Sequence, residues 1–276
     1  MCLSFLAYAS YMDIKTREVD DNVWILMVLV SPIMIIDLLL GREPLLLTII
    51  SILLSSAIAS ALYYFGMFGG ADMKAIICMS LLIPVTPVES PILDILPYNP
   101  FLPISAFLNG VMLATLTPIY TLTKNAVYFL KKGSLFRDFE EEKIYKKILA
   151  VLFGYRTEGI EKLKAEFQFP LEDIELEGTK VKRRFRFKLG IKCSEEIRRI
   201  VDAFEKGFIC NGVWVSPGLP LLVFITAGLI IALTFGDLVL AVIMSLEALL
   251  FPSHHVIICF KNIANFNYTH IVAMFH

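Results

Sequence analysis

The sequence predicts an all-α polytopic membrane protein of about six transmembrane helices, with a small α+β cytoplasmic domain inserted before the last span. Two observations carry this reading. Of 276 residues, 57% are hydrophobic and the mean hydropathy is +0.71, whereas soluble domains are about 45–50% apolar. The charges are also segregated. Of 25 Lys and Arg, 19 lie between Lys131 and Lys206, so the net charge of −1 conceals a basic insert in an apolar chain. This composition excludes an ordinary water-soluble domain.

Met1 to Met12 is an apolar run, shorter than the about 20 residues of a spanning helix. The favoured reading is a start codon further upstream. The run has no basic residues ahead of it and leads into a charged turn, which argues against a cleavable signal peptide. Asp13 to Asn22 reads as a short polar connection, and Val23 to Leu40 as a second span with Asp37 near its far end. Gly41-Arg42-Glu43-Pro44 is a tight turn before a third span, Leu45 to Phe65. The Ser and Ala residues of this span, from Ser51 to Ala61, are small enough to let membrane helices approach closely.

A glycine turn, Gly66-Met67-Phe68-Gly69-Gly70, opens a fourth helix from Ala71 to Pro84. Pro84 to Pro103 holds prolines at 84, 87, 91, 97, 100 and 103 and no Lys or Arg, which predicts a surface or re-entrant loop. Ile104 to Leu130 is a fifth span. Beyond Pro217-Gly218-Leu219-Pro220 the apolar run continues to Leu250. That is longer than one span, and Gly236-Asp237 either divides it or ends the sixth helix.

The domain reading is therefore 1–130 for helices one to five, 131–214 for the insert, 215–250 for the C-terminal helix or two, and 251–276 for a tail without assigned role. In the insert, Glu140 to Phe153 has helical periodicity. Thr179 to Cys193 alternates Val181, Phe185, Phe187 and Leu189 with Lys180, Lys182, Arg184, Arg186 and Lys188, as a strand with one polar face does. Ser194 to Lys206 is a helix with Ser194 as N-cap and Glu195 and Glu196 in its first turn. The basic strand face is either a solvated surface or a site for anionic lipid, with RNA a weaker alternative. No nucleic-acid partner is expected.

Placing Lys15, Arg17, Lys74 and the insert on one side leaves Arg42 and the proline-rich loop on the other. The positive-inside rule makes the basic side cytoplasmic. Asp13 and Asp72 then fall on the same rim. An acid at a membrane helix costs about 2.5–3.5 kcal/mol on insertion scales and is a functional candidate by default. Two such carboxylates held close share one proton, leaving the other acid as a general base. Read singly, each could instead be a helix-end acid, Asp72 capping the fourth helix with Lys74 beside it. Gly66, Gly69 and Gly70 permit a tight turn and the approach of an extended peptide. Asp37, Asp237 and Glu247 read as span-end acids that face water. The five cysteines (2, 78, 193, 210 and 259) have no metal spacing, and His254-His255 reads as an incidental pair. No metal or other cofactor is expected.

Asp13-Ile14-Lys15-Thr16-Arg17-Glu18-Val19-Asp20-Asp21 and Gly69-Gly70-Ala71-Asp72-Met73-Lys74 resemble the two active-site motifs of the type IV prepilin and preflagellin peptidases. These are membrane aspartyl proteases of the GxGD type. Gly69, Ala71, Asp72 and Lys74 follow the archaeal form of the second motif, with Gly70 at its free position. Trp214-Val215-Ser216-Pro217-Gly218-Leu219-Pro220 is similar to the proline-containing approach to the last span in archaeal members.

The resemblance covers roughly residues 1–240. It implies that Asp13 and Asp72 are the catalytic pair, and that archaellin or pilin-like precursors lose a short basic leader at the cytoplasmic boundary of the plasma membrane. Glu18, Asp20 and Asp21 could attract that leader. The larger bacterial members carry a cytoplasmic cysteine cluster and also N-methylate the new terminus; this chain lacks those cysteines, which implies proteolysis without methylation. Two other classes stay open: a proton- or cation-coupled transporter using the Asp pair, and a non-catalytic membrane scaffold whose insert binds a partner. The oligomeric state is not legible.

Overall fold

The computed structural model describes residues 1–41, 44–87, 97, 99–158, 168–177, 180–187, 194–209 and 212–250. The Arg42-Glu43 turn, most of the proline-rich loop, Cys193, Cys210, Leu189, His254-His255 and the whole 251–276 tail lie outside the described residues. In chain order the helices are α1 (Cys2–Thr16), α2 (Asp21–Val30), α3 (Pro32–Leu39), α4 (Leu45–Tyr64), α5 (Gly70–Leu82), α6 (Leu102–Ala114), α7 (Thr117–Lys132) and α8 (Ile144–Phe153). Five strands and a helix follow: β1 (Tyr155–Thr157), β2 (Gln168–Pro170), β3 (Glu172–Glu177), β4 (Lys180–Phe185), α9 (Ser194–Glu205) and β5 (Val213–Pro217). The last described helices are α10 (Leu221–Thr234) and α11 (Leu238–Leu250).

Two compact units result: Met1–Ala114 with the chain from Pro220 onward, and Thr115–Leu219. Among the described residues the fold is mostly helical, with strands confined to the second unit. Among the described residues three helical runs are long and apolar enough to cross a membrane: Asp21–Leu39, Leu45–Tyr64 and Leu102–Lys132. A fourth arises if Leu221–Thr234 and Leu238–Glu247, bent by 67°, form one broken span. The helices α1 and α5 have 15 and 13 residues, short of the about 20 needed to cross.

Several boundaries differ from the sequence reading for identifiable reasons. No proline or glycine interrupts Met12 to Thr16, so α1 runs on and takes Asp13 into its last turn, leaving only a brief link before α2. The second span is broken at Ser31, because Pro32 lacks the N–H that an unbroken helix requires. Pro103 lies in the first turn of α6, where a missing N–H is tolerated. Glu140 to Lys143 precede α8 instead of joining it.

The first unit is built inside out relative to a soluble bundle. The buried stripe of α4 is Thr48, Ser51, Ser55 and Ala59, while Leu53 on its outer face is 66% exposed. Small inward residues let α4 pack on α5, and the Ser51 hydroxyl donates to the Pro84 carbonyl. The tightest pair is α6 with α10. A Cβ on Gly228 would stand 2.1 Å from the Ala106 carbonyl oxygen, and one on Gly110 2.8 Å from the Phe224 oxygen, so the two backbones touch where only glycine fits.

Asn109 secures the far end of this pair, donating to the Gly236 carbonyl at 3.0 Å and accepting from the Leu238 N–H at 2.8 Å. Asp237 does not face water as expected. It is buried, caps α11 through the Leu240 N–H and accepts from the Ser105 hydroxyl at 2.8 Å. The 67° bend therefore falls at Gly236-Asp237, where the backbone groups freed by the break are satisfied by side chains.

In the second unit, β5 lies between β1 and β2, antiparallel to both, so Val215 to Pro217 pair in a sheet instead of leading into the last span. A separate β3–β4 hairpin pairs Glu172 with Phe185 and Ile174 with Arg183. The strand β4 is shorter than the predicted 179–193 run, and Arg183 takes the buried parity. Its guanidinium donates to both Glu172 oxygens at 2.8 and 2.7 Å and to the Gly212 carbonyl at 2.7 Å. Burial pushes the Glu172 carboxyl above its ordinary range, with the facing Arg183 charge opposing that rise. Trp214 is wholly buried and stacks on Phe136 with ring centroids 5.4 Å apart.

Arg183→Met strands a buried carboxylate and is expected to destabilise the second unit by about 3–5 kcal/mol, with Glu172→Gln added recovering part of that loss. Gly228→Ala, which forces α6 from α10, is expected to cost about 1–3 kcal/mol. Thermal unfolding of the detergent-solubilised chain measures both, and a Gly228→Ala protein of parental stability would contradict the close contact.

Candidate active site

The two acids singled out by the sequence are brought together at one end of the first unit. Asp13 ends α1 and Asp72 begins α5, two helices that pack on each other. Their carboxylates lie within electrostatic reach of one another. Asp13 is mostly enclosed, its side chain 14% exposed. Asp72 is partly buried.

Each carboxylate faces a helix N-terminus. Asp72 occupies the third position of α5, and its Oδ2 accepts the Gly69 N–H at 3.0 Å. That closes half of a capping box; the reciprocal half is absent because Gly69 has no side chain. A Cβ on Gly69 would come within 3.1 Å of the same Oδ2, whereas at Gly70 the nearest atom is a Tyr63 ring carbon at 3.9 Å. Gly69 therefore makes room for the acid, and Gly70 is free to vary. Asp72 thus caps α5 from its third position, as the helix-end alternative has it, but Lys74 is not its partner.

Asp13 faces the first turn of α10, close to the Leu222 backbone. The residue capping α10 is Pro220, which offers no side-chain acceptor, and the Asp13 carboxylate stands near the backbone of that first turn. Ser10 fixes the approach: its hydroxyl donates to the Leu222 carbonyl at 3.1 Å and lies 2.7 Å from the Thr226 hydroxyl. Both acids thus meet the positive ends of helix dipoles, which favour negative charge.

The other predicted residues divide. Ala71 packs partly buried against the core of the first unit. Lys74 turns away from the acids and pairs with Asp21 at 2.6 Å, an exposed bridge from α5 to α2. Asp20 is the N-cap of α2, accepting the Asn22 N–H at 3.0 Å, and Glu18 is exposed in the link before it.

Two participants escaped the sequence reading. The Leu222 backbone was signalled only by Pro220, which marks a helix start without a side-chain cap. Arg17 is the one non-glycine with positive φ among the described residues, at 58°. It closes α1 by donating its N–H to the Asp13 carbonyl, and its Nη1 lies 3.9 Å from Asp13 Oδ1; nothing in its side-chain type announces that backbone conformation. Among the described residues no three His, Cys, Asp or Glu side chains cluster as metal ligands would.

Residues 1–119 match the model of the type IV leader peptidase family, and residues 146–238 match that of the archaeal peptidase A24 C-terminus, type II. The chain belongs to the type IV leader peptidase family. It is 28% identical over 246 residues to the preflagellin peptidase of Methanococcus voltae, covering 87% of this chain and 95% of that protein. It is 27% identical over 252 residues to that of Methanocaldococcus jannaschii, covering 88% and 96%. The preflagellin peptidase of Methanococcus maripaludis is 24% identical over 241 residues, covering 85% and 93%. The first family match contains both acids, and membership makes this chain a membrane-bound peptidase. It leaves the transporter reading without support.

Gly69→Ala displaces the Asp72 carboxylate by a few tenths of an ångström and is expected to lower peptidase activity about tenfold, as misplacement of a reacting group does. Gly70→Ala is expected to leave activity within about twofold, since its Cβ makes only ordinary van der Waals contact with Tyr63. Initial cleavage rates of the two variants, compared at equal folded concentration, decide the point.

Proposed function

We propose that this protein is a membrane-embedded aspartic endopeptidase with Asp13 and Asp72 as its catalytic pair. Its substrates are archaellin (preflagellin) or type IV pilin-like precursors, from which it removes the short basic leader at the cytoplasmic face of the plasma membrane. The observation that carries the reading is the convergence of the two carboxylates where α1 ends and α5 and α10 begin. The preflagellin peptidase relatives supply the substrate class. The segregation of basic residues supports the side of the membrane, with residues 131–214 as the cytoplasmic insert and about six spans in all.

The chemistry follows from a pair that shares one proton. The ionised carboxylate takes a proton from water, and the hydroxide so formed attacks the scissile carbonyl carbon. The protonated carboxyl gives its proton to the carbonyl oxygen, forming a tetrahedral diol. Proton transfer to the amide nitrogen then breaks the C–N bond, releasing the leader acid and the amine of the mature chain. No cofactor takes part. The Gly69 N–H holds Asp72 in place, and exposed Glu18 and Asp20 lie in the link between α1 and α2, where a basic leader would meet negative charge.

Asp13→Asn and Asp72→Asn are each expected to reduce cleavage by about 10²–10⁴-fold in a detergent assay with a precursor bearing a basic leader. Cleavage at the parental rate by either variant would remove that residue from the pair. Glu18→Gln combined with Asp20→Asn, which retains the α2 cap, is expected to raise KM about threefold to tenfold with kcat unchanged. An unchanged KM would show that these acids do not hold the leader.

A further inference from the structure

Two helices of the second unit turn their apolar sides outward. In α8, Ala150 is wholly buried while Ile144, Tyr145, Ile148 and Phe153 are 73%, 53%, 54% and 55% exposed. The neighbouring α7 repeats the inversion. Its inward stripe is Thr121, Asn125 and Tyr128, with Thr121 donating to the Leu152 carbonyl at 2.8 Å and Asn125 to the Gly154 carbonyl at 2.8 Å, whereas Leu130 is 83% exposed. A third helix of the same unit behaves as water-facing helices do: α9 buries Ile200 and Ala203 and exposes Arg198 and Arg199. The inversion is therefore confined to one face.

The exposed charges of α7 itself are all positive. They are Lys124, Lys131 and Lys132, the last paired with Glu158 at 3.5 Å, whereas the half-buried Lys146 and Lys147 of α8 turn back to the Phe185 and Glu140 carbonyls. Of the glutamates just before α8, Glu142 turns inward, accepting the Phe185 N–H and pairing with Lys146, while Glu141 stays exposed and pairs with Lys182 of β4. Apolar side chains bordered by lysines are what an interfacial helix presents to an anionic bilayer. Continuity supports the same occupant, because α7 is the C-terminal part of the apolar run Leu102–Lys132 and α8 is bonded along it.

We propose that the outward face of α8, with the adjoining face of α7, is a lipid-binding surface that lies in the headgroup layer of an anionic membrane and anchors the strand-bearing unit there. This surface is independent of the peptidase reading. Ile148→Trp in the full chain, in nanodiscs containing brominated phosphatidylglycerol, reports on it. The added indole emission is expected to fall about twofold or more, since interfacial helices sit about 5–10 Å into the headgroup boundary. Arg198→Trp on α9 is expected to be little affected, and adding Ile144→Glu to Ile148→Trp is expected to relieve the quenching. Replacing the anionic lipid by brominated phosphatidylcholine is expected to weaken it. Quenching no deeper than at position 198, or indifferent to the anionic lipid, overturns the proposal, as does cross-linking of α8 between copies in place of quenching.

Discussion

The contact between the backbones of α6 and α10 at Gly110 and Gly228 fixes more of this molecule than any side chain does. It sets where α10 lies, and the start of α10 presents the Leu222 backbone to α1. The Ser10–Thr226 contact locks α1 in that position, so Asp13 owes its location to a glycine pair far along the chain from it. Water is absent from the bilayer core, so apolar burial alone does not drive such packing. Close approach, dispersion and buried hydrogen bonds must supply it. Asn109, Ser105 and Asp237 serve the same end where α10 gives way to α11.

At the site, the protein's contribution is mostly backbone. Two helix starts face two carboxylates, and the glycine ahead of α5 leaves space for one of them. Lys74 and Asp21 lie to one side as an exposed bridge, and pairs of that kind contribute at most about 1 kcal/mol. The cation nearest the acids is Arg17, whose Nη1 lies 3.9 Å from Asp13 Oδ1.

Much of this was legible in the sequence. Asp13 and Asp72 stand out as candidates because acids at apolar runs are rare and because glycines precede the second. The long spans and the separate basic insert followed from hydropathy and charge. Helix ends were less legible. Asp13 to Thr16 read as a turn because their polarity resembles one, although nothing in their backbone chemistry stops a helix. Asp237 read as water-facing because its side-chain partners, Ser105 and the Leu240 N–H, are set by packing or by a bend that sequence does not display. Arg183 escaped notice because its partner Glu172 lies on another strand.

The inside-out stripe of α4 bears on how this chain tolerates change over time. In a water-soluble helix the large apolar positions are the constrained ones and the small polar ones drift. Here the lipid-facing leucines and isoleucines touch a fluid that refits around any similar side chain, so they are interchangeable. Thr48, Ser51, Ser55 and Ala59 touch another helix and have no room to grow. A library of α4 variants would show its conserved positions as the smallest side chains, a pattern opposite to that of a globular core.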